Sequence, residues 1–423
     1  MKFIKYFSIY FFSIHLLSAQ PAPGTVQKEP IAITGAEIHI GNGRTIVSGV
    51  LIFERGKISY VGEDVSKTNQ IQRVIDAKGK KLYPGFIAMA SNLGLAEIEQ
   101  VKATLDFREF GTYNTNIRSL TSYNTDSKVI PTVRSNGVLM AQVAPQGGII
   151  SGQSSVFQLD AWNWEDAVYA ADEGIFIQWP NPSGISRRVN AEVSAESSYQ
   201  KEIKALRDYF DLAKAYASEK APTEVHLGYD GMRKLWTKEK TLFIRAGAPK
   251  AMIHAVQFAK EYNVEVVLVG AQGAGHILSF LKEHRIPVVL AQTHRLPSHA
   301  DEAVNMPYLL PKILQEAGIL FCLSMDGYWE QRNLAFQAGH CLAYGLSYQD
   351  ALASISLNAA KILRIDSRCG SIEPGKDATF FISDGDALDM KSQKIIQAFI
   401  QGREIDLDNK HKELYRRFSG KPR

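Results

Sequence analysis

TLFIRAGAPKAMIHAVQFAKEYNVEVVLV, residues 241–269, holds two apolar runs separated by one stretch of helical period. Thr241 to Arg245 and Val264 to Val269 are short, rich in β-branched and aromatic residues, and apolar on both faces. Between them, Lys250 to Tyr262 repeats its apolar residues at helical spacing. A strand that is apolar on both sides is buried on both sides, hence parallel and covered by crossover helices. The alternation continues toward the C-terminus. It predicts a helix over Ala274 to His284, a strand over Pro287 to Ala291, and a helix over Tyr308 to Ala317. A strand over Ile319 to Ser324 and a helix from Glu330 to Tyr344 follow. Repeated βα units connect right-handedly and build a closed barrel or a doubly wound sheet.

Toward the N-terminus the reading is sparser. Val138 to Ala144 and Ser155 to Leu159 have strand character, and Tyr199 to Ser218 that of a helix. The second to fourth barrel strands are not assignable between Leu95 and Pro222. Both ends of the chain instead show short alternating runs punctuated by Gly, Asn and Asp. Ile31 to Val61 holds four of them, and Asp377 to Ser383 and Ile395 to Gly402 supply two more. That is how an antiparallel sheet is written. Its two halves imply one composite domain built from both termini.

At 423 residues the chain is long enough for a large barrel plus a smaller domain. A formal charge of +4, of which Lys2 and Lys5 contribute two, gives no basis for binding nucleic acid. Those two lysines open a positive segment, Tyr6 to Leu17 is apolar, and Ser18-Ala19 precedes Gln20-Pro21. This order predicts a cleaved signal peptide and an exported, periplasmic or secreted protein. The apolar run is about a dozen residues, short of the roughly 20 that span a bilayer, so no membrane span is expected after cleavage. Cys322, Cys341 and Cys369 are odd in number and show no zinc-type spacing, and buried, inert thiols are expected.

Pro84-Gly85-Phe86-Ile87, after the first β segment, resembles the entry to the first barrel strand of the metal-dependent amidohydrolase superfamily. Ala351 to Leu363, followed by Gly370-Ser371-Ile372-Glu373-Pro374-Gly375-Lys376-Asp377-Ala378, is similar to that family's closing signature. Gly147 to Gly152 and Trp162 to Asp166 are similar to segments of its imidazolonepropionase-like group. The resemblance covers Ile31 to Ile405. It implies a (β/α)8 TIM barrel with a composite β-sandwich formed by the N- and C-terminal segments. The expected divisions are a signal peptide at 1–19, a linker at 20–30, sandwich at 31–83, barrel at 84–368, sandwich again at 369–405 and a basic tail at 406–423. That tail is expected to be a docked terminal helix.

The resemblance also implies a hydrolase acting on carbon–nitrogen bonds other than peptide bonds, with zinc or another divalent metal at the barrel mouth. The family holds it with His-X-His after strand one, a histidine after each of strands five and six, and an aspartate after strand eight. Here Ala88-Met89-Ala90-Ser91-Asn92 replaces the paired histidines, Arg245 falls at the strand-five position, and the strand-six position falls near Gly270. Only Asp326 keeps its place. One carboxylate cannot hold zinc where three or four protein ligands are the norm, and a guanidinium opposes a cation. No metal ligands and no cofactor are therefore expected.

Asp326, at a strand end on the mouth, is the candidate acid/base residue, or else a loop carboxylate paired with Arg332. Arg245, Arg295 and Arg332 would approach the same face and clamp an anion, or else form scattered ion pairs. His294 joins them as a substrate-binding candidate. With His299, Asp301 and Glu302 it could alternatively rebuild a metal site after strand seven, or be one of several solvated loop residues. Three functions stay open. The chain is a hydrolase with a degenerate site, or an inactive paralogue (a pseudoenzyme) that binds a small molecule or partners an active amidohydrolase in an oligomer. The third is a metal-independent enzyme using Asp326 and the mouth arginines.

Overall fold

The computed structural model describes residues 22–181, 195–219, 222–298 and 302–421. The expected signal peptide at 1–19 lies outside them, as do His299 and Asp301. Sixteen strands form two sheets among the described residues. The first takes β1 (Ile31–His39), β2 (Thr45–Glu54), β3 (Lys57–Gly62), β4 (Arg73–Asp76) and β5 (Lys81–Pro84) from the N-terminal side. The second is built from β6 (Phe86–Ser91), β7 (Val138–Val143), β8 (Ile150–Gln158), β9 (Val168–Gln178), β10 (Thr241–Ala246), β11 (Val266–Gly270), β12 (Val288–Leu290) and β13 (Phe321–Leu323). The chain then returns to the first sheet with β14 (Phe380–Ser383), β15 (Ile395–Ile400) and β16 (Arg403–Glu404).

The fold is a (β/α)8 barrel carrying a composite β-sandwich built from both termini. β14 pairs antiparallel with β5, Phe380 opposite Pro84 and Ser383 opposite Lys81, so the two ends of the chain share one hydrogen-bonded sheet. Its inner face buries Ile33, Leu51, Phe53, Phe380 and Phe399. Asp160 ties this sheet to the barrel: Arg134 Nη1 donates to its carboxylate at 2.6 Å, the Gly24 N–H donates at 2.9 Å, and Arg403 Nη2 donates to its carbonyl at 2.7 Å.

The barrel strands run in the order β6 to β13 without exchange. Apolar residues on both faces of β10 and β11 bury as expected: Phe243 and Val267 point into the barrel, Leu242 and Leu268 toward the helices. The helix Pro249–Glu261 covers them with Met252, Ala255, Val256 and Ala259, an i, i+3, i+4, i+7 stripe. β12 and β13 are shorter than their apolar runs suggested. The helix expected over Glu330 to Tyr344 is split into a 3-10 turn, an α segment Leu334–His340 and a second 3-10 turn. The predicted terminal helix spans Lys410–Ser419, and His411 stacks on Trp329 at 5.6 Å.

Two features were not legible beforehand. β8 runs antiparallel to both neighbours, because Gly147 and Gly148, at φ 92 and 64, turn the chain straight back after β7. β9 follows, disguised in the sequence by Asp172, Glu173 and Gly174. Asp172 takes φ 50 beside a register shift, so the strand bulges at its charged residues and stays paired on either side. The Glu173 carboxylate accepts from Ser154 Oγ at 2.6 Å and Gln142 Nε2 at 2.8 Å, while its other oxygen is buried without a partner. Cys322, Cys341 and Cys369 are buried and unpaired, and burial raises their thiol pKa values. No helix among the described residues is long and apolar enough to cross a membrane.

Burial pushes the Glu173 carboxyl up to about 7. The folded chain therefore keeps a proton that the unfolded chain releases near pH ~4.3. Stability should fall as pH rises from there and level off above about 7. Glu173→Gln keeps the acceptor oxygen and removes the charge, so it should gain on the wild type between pH 5 and 8, by at most about 3 kcal/mol. Denaturant titrations at both pH values read this directly. A variant no more favoured at the higher pH would contradict the assignment.

Candidate functional site

Barrel strands end together, and the loops that follow them are where a (β/α)8 fold builds its sites. A cavity of about 1020 Å³ opens at these ends, and both Arg245 and Asp326 line it. Arg245 closes β10. Its guanidinium lies 4.5 Å from the Phe176 ring centroid, and among the described residues its one hydrogen bond goes from Nη1 to the Pro145 carbonyl at 3.4 Å. Burial pushes Arg245 down to about 10, while Asp326 pulls the other way. A guanidinium keeps its proton throughout the physiological range, so the shift describes a cation short of counter-charge.

Asp326 follows β13 on an exposed loop that buried carboxamides hold in place. Gln331 Nε2 donates to the carbonyls of Met325 and Gly327, each at 2.8 Å. Gln337 Nε2 donates to the Ser324 carbonyl at 2.9 Å, and its Oε1 accepts from the Thr293 N–H at 2.6 Å. The loops after β12 and β13 are thereby locked together. Near the end of β6, Ala90 takes φ 53 and donates its N–H to Gln142 Oε1 at 3.1 Å. Ala271, after β11, takes φ 45. Two alanines in the left-handed region at strand ends place backbone strain at the mouth.

The remaining sequence candidates stand apart from this cavity. Arg295 is paired with Glu302 at 2.8 Å, the ion-pair alternative weighed for it. Arg332 lies 5.5 Å from the Trp329 centroid and forms no ion pair with Asp326. His294 packs edge-on against His340 at 4.9 Å and near Tyr308 at 5.8 Å, and its pKa is lowered by burial and then by His340. With His299 and Asp301 outside the described residues, the strand-seven cluster is not placed. Sequence reasoning overlooked Arg108 and a set of neutral amides at the mouth, because carboxamides carry no titration or ligand spacing by which to find them.

The donor set does not fit a catalytic zinc. By the resemblance, the positions where imidazoles would stand are held by Ala90, Asn92, Arg245 and Gly270, which leaves Asp326 as a single carboxylate. Among the described residues no three His, Cys, Asp or Glu side chains come together to hold a metal.

The sequence model of the Amidohydrolase family matches residues 308–406, a stretch that includes Asp326 and the returning sandwich strands. Among solved structures, an amidohydrolase from Thermotoga maritima MSB8 is similar over 89% of this chain and 99% of its own, at 23% identity and a TM-score of 0.75. Molinate hydrolase is similar over 90% and 96%, at 16% identity and a TM-score of 0.55. A prolidase complexed with n-methylphosphonate-l-proline is similar over 89% and 99%, at 15% identity and a TM-score of 0.55. No curated protein sequence matches. At these identities the structural likeness is one of fold, and together with the match over 308–406 it supports the amidohydrolase superfamily resemblance.

A cation kept for a ligand should cost stability when the ligand is absent. Arg245→Met preserves packing on Phe176 and removes the charge, and we expect it to leave the chain as stable or about 1 kcal/mol more stable. Breaking a structural buried ion pair would instead cost about 3 kcal/mol. Urea unfolding of the two proteins separates these outcomes.

Proposed function

We propose that this amidohydrolase-fold chain is an exported protein that binds a small anionic molecule at its barrel mouth and does not carry out metal-assisted hydrolysis. The observation that carries this reading is Arg245: a guanidinium without an ion pair among the described residues, lining a cavity at the place where the resemblance puts a metal ligand. A permanent cation there repels a divalent metal and supplies a planar fork for a carboxylate. Export rests on the charged, apolar and small-residue order of residues 1–19. The molecule would serve as a ligand-binding protein or as the partner of an active amidohydrolase.

A second reading, hydrolysis of a carbon–nitrogen bond, is favoured by Asp326, which keeps its place at the mouth inside the matched stretch. Asp326 could take a proton from water, with Arg245 opposing the charge that develops on a carbonyl oxygen. This needs no metal.

Elemental analysis of the dialysed protein, before and after incubation with zinc, tests the main reading. We expect far less than one metal ion per chain, and carboxylate binding by calorimetry that Arg245→Met abolishes. Stoichiometric retained zinc, with amide turnover lost to a chelator, would overturn it. Chelator-resistant turnover that Asp326→Asn removes would establish the second reading in its place.

A further inference from the structure

Five strand ends deliver a carboxamide to the same cavity: Asn92 after β6, Gln146 after β7, Gln178 at the end of β9, Gln272 after β11 and Gln292 after β12. Elsewhere in the barrel such groups are consumed by the fold. Gln142, Gln153, Gln331 and Gln337 are buried and hydrogen-bonded through their side chains. At the mouth, among the described residues, none of the four glutamine side chains bonds to another protein group. Asn92 is only 5% exposed and its Oδ1 has no partner, and the hydroxyl of Ser151, also lining the cavity, is buried and unpartnered. A buried polar atom without a partner is costly, and of the twelve such side-chain atoms among the described residues these two belong to residues lining the cavity, where a ligand would satisfy them.

A carboxamide offers two donors and an acceptor without charge, which suits groups that both donate and accept: hydroxyls and amides. The charges of the lining are unevenly spread, and the charge of Asp326 reaches Arg245. Arg245 and Arg108 flank the turn after β7, one through the Pro145 carbonyl and the other bridging to Gln146 and packed on Gly147. Glu99 and Glu330 gather instead around Tyr328, whose pKa burial raises first and these carboxylates raise further. One negative charge is welcome on the arginine side, and a second would meet the carboxylates.

We infer that the mouth recognises a small monocarboxylate whose other polar groups are several neutral hydroxyls or amides, with the carboxylate on Arg245 and the neutral groups on the carboxamide ring. This deepens the reading that the mouth binds a small anion and rests on it. A cavity of about 1020 Å³ accommodates a molecule well beyond the size of acetate.

Calorimetry on the full mature chain tests this with gluconate (hydroxyl-rich), N-acetylasparagine (amide-rich), hexanoate (a carboxylate alone), glucose (hydroxyls alone) and glucarate (a second charge). We expect gluconate or N-acetylasparagine to bind at least tenfold more tightly than hexanoate, glucose or glucarate, and whichever leads identifies the neutral group. Gln178→Leu and Gln292→Leu, at exposed and half-exposed positions that tolerate the change, should each narrow the gap to hexanoate about three- to tenfold. Hexanoate binding as tightly as the polar acids, or a gap unmoved by both variants, would overturn the inference while leaving the anion site standing. Failure of every carboxylate to bind would overturn the anion-site reading itself.

Discussion

Eight strands in a row leave two edges, and an edge strand carries unpaired backbone groups that must be satisfied or covered. In this barrel β6 and β13 do not pair with each other. The segment leading into the helix Leu357–Ile362 fills the seam: the Ile87 N–H donates to the Ile355 carbonyl at 2.9 Å, and Asn358 Nδ2 donates to the Phe321 carbonyl at 3.0 Å. One short stretch thus satisfies a donor on β6 and an acceptor on β13. Everything at the mouth depends on this closure, because Ala90 and Asn92 follow one side of the seam and Asp326 the other.

Closure also explains why the sandwich is shared. Immediately after the seam the chain leaves the barrel and pairs β14 with β5, the strand that leads into β6. The same two ends of the barrel sheet are thereby held twice, once by the seam and once by the sandwich. Asp160 adds a third tie, since it meets Arg134 of the barrel, Arg403 of the sandwich and the Gly24 amide together. A buried carboxylate with these partners is satisfied, whereas a single partner would leave it costly.

Against that rigid frame the mouth is chemically unfinished. Its loops are locked by Gln331 and Gln337, its backbone is strained at Ala90 and Ala271, and its guanidinium and amides have few or no partners in the protein. Strain and unmet hydrogen-bonding capacity that open onto one cavity are physical marks of a site. On the proposed reading, alanine, asparagine and arginine standing where the resemblance puts imidazoles would change what that site favours, from a cation held by lone pairs to an anion held by N–H donors.

How much of this was legible depended on the kind of signal. Hydrophobic period identified β10 to β13 and the helices between them, because strands buried on both faces and amphipathic helices write their burial into the sequence. The closing motif from Ala351 to Ala378 carried the superfamily resemblance, and Asp326 and Arg245 could be placed at strand ends by spacing alone. Ser155 to Leu159 showed part of β8, but its reversed direction escaped, and so did β9, whose charged bulge breaks the period while keeping the backbone paired. The mouth amides escaped for another reason: Asn92, Gln146, Gln178, Gln272 and Gln292 are scattered over some two hundred residues and gain meaning only by converging. Arg295 and Arg332 show the converse, for spacing put them on the right face and only the tertiary structure sent one to Glu302 and the other to Trp329. The local pattern of burial determined the elements and their order. Which unpaired donors share one cavity was decided by barrel closure, which no local pattern encodes.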